Sequence, residues 1–276
     1  MDEEQEVTVT SSKRDLDRAI EQASRIVSRS RHVVAMVGAG LSVESGIPPF
    51  RGPGGLWTRI GEPDMRGYQR FLDDPEAHWR DLLNPETEGP RAEFRQAIEK
   101  ARPNPGHYAL ADMEEMGVLK YIITQNVDNL HREAGSQNVA EIHGNRHKLR
   151  CIECNLRWMR EEFHIQELPP KCPECGGLIK GDGVAFGEPI PKDVLATCYR
   201  ETELCDCMLI IGTSAVVYPA AAFPQQAKMR GASLIEVNTD DTPLTYLCDV
   251  VLHGPSGEIL PELVRGVMAL SRSPRA

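Results

Sequence analysis

Four cysteines in two closely spaced pairs form the strongest chemical pattern in this sequence. Two residues separate Cys151 from Cys154 and Cys172 from Cys175, and residues 155–171 lie between the pairs. Each Cys-x-x-Cys turn can offer two thiolates to one tetrahedral zinc ion. Because four thiolates leave no coordination position for water, the spacing predicts one structural Zn²⁺ and not a catalytic metal.

A second pattern is the glycine-rich segment 38–57, which directly follows the apolar run 32–37. Gly38 and Gly40 permit a tight turn and a close approach of a pyrophosphate to the backbone. The dinucleotide-binding pattern is incomplete, since Val43 replaces its third glycine and the acidic residue expected about 20 positions further on is absent. The glycines alone therefore leave two interpretations open, a nucleotide-phosphate site and a turn-rich surface loop.

The segments that must position these residues alternate between helix and strand patterns. Apolar residues spaced by three and four predict an amphipathic helix over 13–30, and a buried strand follows at 32–37. Further helices are expected near 106–117, 127–134, 191–204, 219–230 and 257–270, and further strands near 118–123, 139–142, 208–211, 233–237 and 249–252. This alternation predicts an α/β fold with a Rossmann-like, doubly wound parallel sheet.

Two stretches interrupt the alternation and divide the chain. Residues 60–105 combine proline and charged residues with short apolar spacings, which predicts a small helical insertion beside the cofactor loop. Residues 147–186 hold the cysteine pairs and predict a small zinc-ribbon module. We expect the Rossmann-like domain over 13–146 and 187–270, and flexible termini over 1–12 and 271–276.

The composition narrows the classes of partner. A net charge of −10 argues against nucleic-acid binding, which favours basic surfaces, and suits a basic peptide. No apolar run reaches the roughly 18 residues of a membrane helix, and the acidic N-terminus does not resemble a signal peptide. We therefore expect a cytoplasmic protein with no membrane or nucleic-acid partner. Four cysteines outside the pairs lie in or beside apolar segments and are expected to be small packing residues: Cys198, Cys205, Cys207 and Cys248.

A series of motifs in a particular order closely resembles the sirtuins, the NAD-dependent protein lysine deacylases. The motifs are the segment 38–57, Thr124-Gln125-Asn126-Val127-Asp128-Asn129-Leu130-His131, Ile142-His143-Gly144, the cysteine pairs, Phe186-Gly187-Glu188, Gly212-Thr213-Ser214 and Val237-Asn238. The resemblance extends over residues 30–265. It implies transfer of the acyl group of acyl-lysine to ADP-ribose with release of nicotinamide, and it favours the nucleotide interpretation of the glycine-rich segment.

NAD is the co-substrate that the resemblance implies. Backbone N–H groups of Ala39 and Gly40 would hold the pyrophosphate, Arg51 would add a charged contact, and Phe50 would cover the reacting ribose. Polar side chains that follow strands suit ribose hydroxyls and the nicotinamide carboxamide, because α/β sheets bind ligands at that edge. The expected NAD-binding residues are Gly38, Ala39, Gly40, Glu44, Phe50, Arg51, Trp57, Gln125, Asn126, Val127, Asp128, Gly212, Thr213, Ser214, Asn238 and Ser256.

His143 is the expected catalytic base, with Asn126 and Asp128 as further catalytic residues. An imidazole with an ordinary pKa of about 6.5 can accept a proton from a ribose hydroxyl at neutral pH, and Gly144 lets the chain pass close by. In the family, the acyl oxygen attacks the ribose carbon that carries nicotinamide, and the histidine then activates a ribose hydroxyl to give O-acyl-ADP-ribose. Asp128 also has a simpler interpretation, as a cap of the following helix.

An acyl-lysine protein or peptide is the expected substrate, entering between the nucleotide domain and the zinc module. The resemblance assigns Val184 and Phe186 to the lysine tunnel, and Gly187 and Glu188 to backbone pairing with the peptide. Family members that prefer succinyl or malonyl groups carry a Tyr-x-x-Arg pair, which is absent around residues 78–83. An acetyl or a longer neutral acyl group is therefore favoured.

Two other functions compete with deacylation. The same site could transfer ADP-ribose to another nucleophile or hydrolyse NAD, although the intact Phe186-Gly187-Glu188 motif argues against this. A zinc-ribbon binding module is the non-enzymatic alternative, which the presence of His143 argues against.

Two positions depart from the family pattern, Pro49 in place of an acid and Gly183 in place of a β-branched residue. His107 and His131 are expected to be structural.

Overall fold

A six-stranded parallel sheet crosses the computed structural model, which describes residues 13–272. The helices and strands in chain order are α1 (Lys13–Arg29), β1 (Val33–Val37), α2 (Leu56–Ile60), α3 (Gly67–Asp73), α4 (Pro75–Leu83), α5 (Pro90–Lys100), α6 (Pro105–Glu115), β2 (Leu119–Thr124), α7 (Leu130–Glu133), β3 (Val139–Glu141), β4 (Lys148–Cys151), β5 (Arg157–Met159), β6 (Ile179–Gly181), α8 (Lys192–Leu204), β7 (Cys207–Ile211), α9 (Phe223–Met229), β8 (Ser233–Asn238), β9 (Val250–His253) and α10 (Ser256–Arg272). Short 3₁₀ helices lie at Ala39–Ser45, Ala220–Ala222 and Thr245–Leu247.

The strand order creates a switch point at the centre of the large sheet. The order is β3-β2-β1-β7-β8-β9, so successive strands extend outward from β1 on one side and from β7 on the other. Val37, Thr124, Ile211 and Val237, near the carboxyl ends of four strands, pair in register across the sheet. The loops that follow these strands therefore open at the same edge, where doubly wound sheets bind their ligands. The predicted fold class is confirmed.

Apolar residues pack on both faces of this sheet. All five residues of β1 are buried, and alternate ones face opposite layers: Val33, Ala35 and Val37 pack towards α1, α6 and α10, and Val34 and Met36 pack towards α8 and α9. Such a continuous apolar run is typical of a parallel strand covered on both faces. Within residues 13–272, every helix is too short or too polar to cross a membrane.

A second, smaller sheet carries the cysteine region. Its strands are antiparallel in the order β5-β4-β6. Trp79 of α4 is fully buried against Leu149 and Ile179 of this sheet, and its Nε1 donates to the carbonyl oxygen of Ile179 at 2.8 Å. Helices α3–α5 occupy the stretch 60–105 that was expected to be a helical insertion, and α4 joins it to the small sheet through this buried indole.

Two predicted helices are shorter in the structure than the apolar pattern suggested. The helix expected over 127–134 is reduced to α7, because Asn129 adopts a left-handed backbone conformation with φ of 71°. The helix expected over 219–230 begins as a 3₁₀ turn at Ala220–Ala222 before α9. Apolar spacing reports which face is buried and is insensitive to such local turns.

We expect Trp79→Ala to lower the free energy of unfolding by about 3–5 kcal/mol, because it removes a fully buried aromatic side chain and leaves a cavity. Trp79→Phe retains most of the apolar area but leaves the Ile179 carbonyl unpaired, which costs about 1–3 kcal/mol. Urea denaturation followed by circular dichroism, with zinc present, measures both changes. Tyr246→Ala is the control, since Tyr246 is 79% exposed. A Trp79→Ala protein as stable as this control would contradict the assigned packing.

Candidate functional site

Two loops touch through their backbones at the switch point. The N–H of Gly40 donates to the carbonyl oxygen of Gly212 at 2.8 Å, which joins the loop after β1 to the loop after β7. A Cβ atom on Gly40 would lie 2.6 Å from Gly212 Cα, and one on Gly38 would lie 2.7 Å from Gly212 O. Neither position can hold a side chain without moving the opposite backbone. At these glycines, only backbone N–H and carbonyl groups can therefore contact a ligand.

A chain of hydrogen bonds connects three polar side chains beside these glycines. The Asn126 amide donates from Nδ2 to the Gly38 carbonyl at 3.1 Å and to Ser42 Oγ at 3.0 Å. Ser42 Oγ in turn donates to Asp128 Oδ2 at 2.7 Å. Because a backbone carbonyl can only accept, the Asn126 amide orientation is set, and its Oδ1 is left to accept from another group.

Asp128 is a buried carboxylate with neutral hydrogen-bond donors on both oxygens. Burial raises its pKa, while hydrogen bonds from Ser42 and from the N–H of Leu130 oppose the increase. The Leu130 N–H lies 3.0 Å from Oδ1 and begins α7. Asp128 thus caps the helix through Oδ1. Its Oδ2 binds Ser42, which in turn binds Asn126.

His143 lies in the turn after β3, with its ring oriented by the backbone of the neighbouring strand end. Its Nδ1 lies 3.2 Å from the carbonyl oxygen of Gln125. Since a carbonyl cannot donate, Nδ1 carries the hydrogen in the neutral ring and Nε2 holds the free electron pair. Burial lowers the His143 pKa, and the bond to Gln125 only partly opposes this. The imidazole is therefore neutral and able to accept a proton at pH 7.

The polar residues predicted after β2, β7 and β8 also meet. Gln125 Nε2 donates to Thr213 Oγ1 at 2.9 Å, and Asn238 Nδ2 lies 3.3 Å from the Thr213 carbonyl. Ser214, next to Thr213, is exposed. Hydrogen bonds at one edge of the sheet thus link the loops after four strands, together with the Gly40–Gly212 contact.

The loop after Ser45 places aromatic residues over the site. Phe50 packs at 4.8 Å from Trp57 and 5.2 Å from Phe94, measured between ring centroids. Phe50 also lines a small pocket whose other walls include Ala39, Asn126, Val127 and Asp128. Trp57 contacts Phe186 edge-on at 5.7 Å. The predicted cofactor loop is thereby packed against the predicted peptide segment.

The predicted cofactor residues Arg51 and Glu44 bind other parts of the protein. The Arg51 guanidinium stacks over Trp57 at 4.5 Å and pairs with both carboxylate oxygens of Glu62 at 2.9 Å. Glu44 accepts from the N–H of Gly257 at 2.6 Å, at the start of α10 beside the buried Ser256. Within residues 13–272, no hydrogen bond or ion pair joins Arg51 or Glu44 to the Asn126–Ser42–Asp128 chain. Glu44 connects the first 3₁₀ helix to α10.

The predicted substrate segment runs alongside the turn that carries His143. Val184 donates its N–H to the His143 carbonyl at 2.9 Å, and the Phe186 carbonyl accepts from the N–H of Tyr68 at 3.1 Å. Gly144 has a φ of 78°, and a Cβ there would overlap the Asp182 carbonyl. A close backbone contact therefore holds the peptide segment beside the imidazole.

Sequence reasoning missed Ser42 and the apolar wall of the pocket. Ser42 is almost fully buried and bridges Asn126 to Asp128. The available signal was a hydroxyl two residues after Gly40, within a segment already assigned to a ligand. The pocket wall contains Ile47, Pro48, Phe94 and Ile98. Ile98 and Phe94 belong to α5, which is far from the glycine motif in the sequence.

The four paired cysteines converge on one point. Their sulfur atoms all lie within 4.8 Å of one another, with 3.5 Å between Cys151 and Cys175 and 3.7 Å between Cys154 and Cys172. Four thiolates around a tetrahedral zinc ion, at a Zn–S distance of 2.3 Å, stand about 3.8 Å apart. The cluster therefore fits one structural Zn²⁺.

The remaining cysteines and two histidines are packing residues. Burial raises the pKa of Cys198, Cys205 and Cys207 to about 12, so these thiols stay protonated. Cys248 is partly buried, and its pKa is also raised to about 12. His107 and His131 are buried with ring centroids 5.2 Å apart, and burial lowers their pKa values to about 4 and about 3. Both imidazoles are therefore neutral and buried, at positions where the sequence led us to expect structural residues.

Comparison with known proteins gives consistent matches over most of the chain. A model of the Sir2 family matches residues 38–219. An NAD-dependent protein deacylase of Thermococcus kodakarensis is 44% identical over 251 residues, which span 89% of this chain and 94% of that protein. A mutant Sir2 homologue solved with ADP-ribose gives a TM-score of 0.77 at 43% identity, covering 92% of this chain and 98% of that one. Sir2Af2 bound to a myristoylated histone peptide gives 0.66 at 34% identity, with coverage of 92% and 98%.

We expect the purified protein to contain one zinc ion per chain, measured by inductively coupled plasma mass spectrometry. Cys154→Ser or Cys175→Ser should reduce this content to well below one and lower the unfolding temperature, because a structural zinc site contributes directly to folding. Cys248→Ser is the matched control and should retain the metal. Full zinc content in either cluster variant would contradict the four-thiolate site.

Proposed function

The chain belongs to the Sir2 family, and we propose that it is an NAD-dependent protein lysine deacylase that uses His143 as its general base. The observation that carries this proposal is the orientation of the imidazole, with Nδ1 bonded to the Gln125 carbonyl and Nε2 free. The ring is bonded to the backbone of Gln125, which directly precedes Asn126 in the hydrogen-bonded chain of Asn126, Ser42 and Asp128. A base, an amide and a buried carboxylate at one edge of the sheet suit chemistry on a ribose with its nicotinamide leaving group.

Residues at the switch point would hold NAD. The N–H groups of Gly38 and Gly40 already donate to the carbonyls of Ile211 and Gly212, which corrects the expected role of the Gly40 N–H. The Ala39 N–H, at the start of the first 3₁₀ helix, would be the group that meets a pyrophosphate. Gln125, Thr213 and Asn238 would bind ribose or phosphate oxygens, as proposed from the motifs. When bound, NAD supplies an electrophilic ribose carbon from which nicotinamide can leave. The NAD-dependent relative and the homologue solved with ADP-ribose support this assignment.

His143 would take a proton at Nε2 from a ribose hydroxyl. Its lowered pKa keeps the ring unprotonated at neutral pH, and the Gln125 carbonyl stabilises the charge that develops on protonation. Positioning also matters, because a base acts efficiently only within hydrogen-bond reach of the proton it removes. The fixed turn at Gly144 and the bond from Val184 hold the ring in one place.

Asn126 and Asp128 would recognise the polar groups of the nicotinamide half. The free Oδ1 of Asn126 can accept a hydrogen bond, and the Asp128 carboxylate can accept from an amide N–H or a hydroxyl. Ser42 holds both side chains in place through its single hydroxyl. The small pocket between Asn126, Asp128 and Phe50 has apolar walls that suit a planar aromatic ring.

The acyl-lysine substrate would bind along residues 184–188. This segment follows the small sheet and is bonded to the His143 turn through Val184. The Glu188 N–H already donates to the Ala185 carbonyl at 3.0 Å, so Gly187 and the Glu188 carbonyl would supply the backbone pairing with the peptide. Binding of a myristoylated histone peptide by Sir2Af2 supports a peptide substrate with a neutral acyl group. The absence of a Tyr-x-x-Arg pair around residues 78–83 argues in the same direction.

Mass spectrometry of a reaction with NAD tests this function directly. Acetyl-, myristoyl- and succinyl-lysine peptides of one sequence should give nicotinamide and deacylated peptide in equal amounts, with the succinyl peptide slowest. His143→Ala should lower the rate at least about 100-fold, the usual minimum contribution of a general base. His253→Ala, at a partly exposed histidine, is the control. Nicotinamide without deacylated peptide would instead favour NAD hydrolysis or ADP-ribosyl transfer.

The pH dependence of kcat/KM should report the lowered His143 pKa. Only the neutral ring accepts a proton, so activity should be full above this pKa and fall as pH decreases through it. Because burial lowers the pKa, the midpoint should lie below the ordinary 6.5. Initial rates at low peptide concentration between pH 5 and 8 measure the midpoint. A midpoint above 6.5 would contradict the assigned environment of the ring.

A further inference from the structure

A buried cluster of charges lies beneath the proposed peptide segment. Lys180 on β6 and Arg150 on β4 are each 3% exposed, although lysine and arginine are rarely buried without partners. Their acidic partners are Asp182 and Glu188, whose side chains are each 2% exposed. The cluster lies on the small sheet, apart from the residues that would contact NAD. The cluster binds the segment 183–188, as the contacts of Lys180 and Glu188 show.

Lys180 uses all three of its hydrogen-bond donors within one short loop. Its Nζ lies 2.8 Å from the Gly181 carbonyl, 2.6 Å from the Gly183 carbonyl and 3.0 Å from Glu188 Oε2. An ammonium group has three donors and no acceptor, so every donor is paired. The side chain therefore holds the beginning of the 183–188 segment and its end at the same time.

Glu188, at the end of segment 183–188, binds both the segment itself and the small sheet. Its Oε2 also accepts from the N–H of Ala185 at 2.8 Å, and its Oε1 pairs with Arg150. Val184 and Phe186 lie between the anchored positions. Because Val184 is also bonded to the His143 carbonyl, the cluster sets where the segment lies relative to the imidazole.

We propose that Lys180 is a positioning residue for the acyl-lysine substrate, holding segment 183–188 in the conformation that pairs with the peptide. The proposal rests on the deacylase function above and adds a buried residue that is not among those assigned to NAD or peptide contact. Its effect should be specific, because no described hydrogen bond or ion pair joins Lys180 to the loops after β1, β2, β7 or β8. NAD binding should therefore be independent of it.

Steady-state kinetics of Lys180→Met test the proposal, since methionine has a similar length but no donors. We expect KM for an acetyl- or myristoyl-lysine peptide to rise about tenfold or more, the effect of losing a charged hydrogen bond. The Kd for NAD, measured by calorimetry, should change less than about twofold. Lys180→Arg, which keeps the cation, should recover most of the peptide affinity. Lys192→Met, at an exposed lysine just after the segment, is the matched control.

The possible outcomes separate this proposal from the function on which it rests. A wild-type protein that deacylates no peptide would overturn the deacylase function itself. If the wild type is active, an unchanged peptide KM in Lys180→Met would overturn the positioning role. A parallel loss of peptide and NAD binding, with reduced zinc content, would identify Lys180 as a general stability residue and also overturn it. Should Lys180→Met fail to fold, Lys180→Gln, which retains two donors, gives the same readout.

Discussion

The backbone contact between the loops after β1 and β7 is the constraint on which the rest of the site depends. Parallel strands that end in register bring several loops to one edge, but loops with side chains would keep each other apart. Gly38, Gly40 and Gly212 allow direct contact, with the Gly40 N–H bonded to the Gly212 carbonyl. Asn126 then bonds to Gly38, and Ser42 joins it to Asp128. A larger residue at any of these glycines would separate the two loops and displace Asn126, Ser42 and Asp128.

Two buried acidic groups in this protein are stabilised in different ways. Asp128 receives hydrogen bonds from a hydroxyl and a backbone N–H, so its charge is only partly compensated and its pKa is raised. Glu188 is paired with two buried cations. Partly compensated charge suits a group that must interact with a ligand, whereas full pairing suits a group that maintains a structure. The same distinction separates the neutral imidazole of His143 from the fully paired ammonium of Lys180.

The zinc module and the helical insertion act on the site through the peptide segment. The metal-binding turns shape a small sheet whose strands carry Arg150 and Lys180, and these hold residues 183–188. Trp79 connects the helical insertion to the same small sheet. The aromatic contact between Trp57 and Phe186 joins the loop after β1 to the peptide segment. Neither element contributes the proposed base. Each instead supports the segments that would bring the peptide and the nucleotide together beside His143.

The sequence by itself determined the alternating fold, the four zinc ligands and the family, because these follow from local spacing and ordered motifs. It also identified His143, Asn126 and Asp128 as candidates, whereas the expected cytoplasmic location and the lack of nucleic-acid partners stay predictions. Only the tertiary structure decided that Ser42 links two of these candidates, that Arg51 pairs with Glu62, and that Lys180 is buried beneath the peptide segment. A side chain's partners and burial depend on contacts between segments far apart in the chain. No local pattern of residue types encodes such contacts.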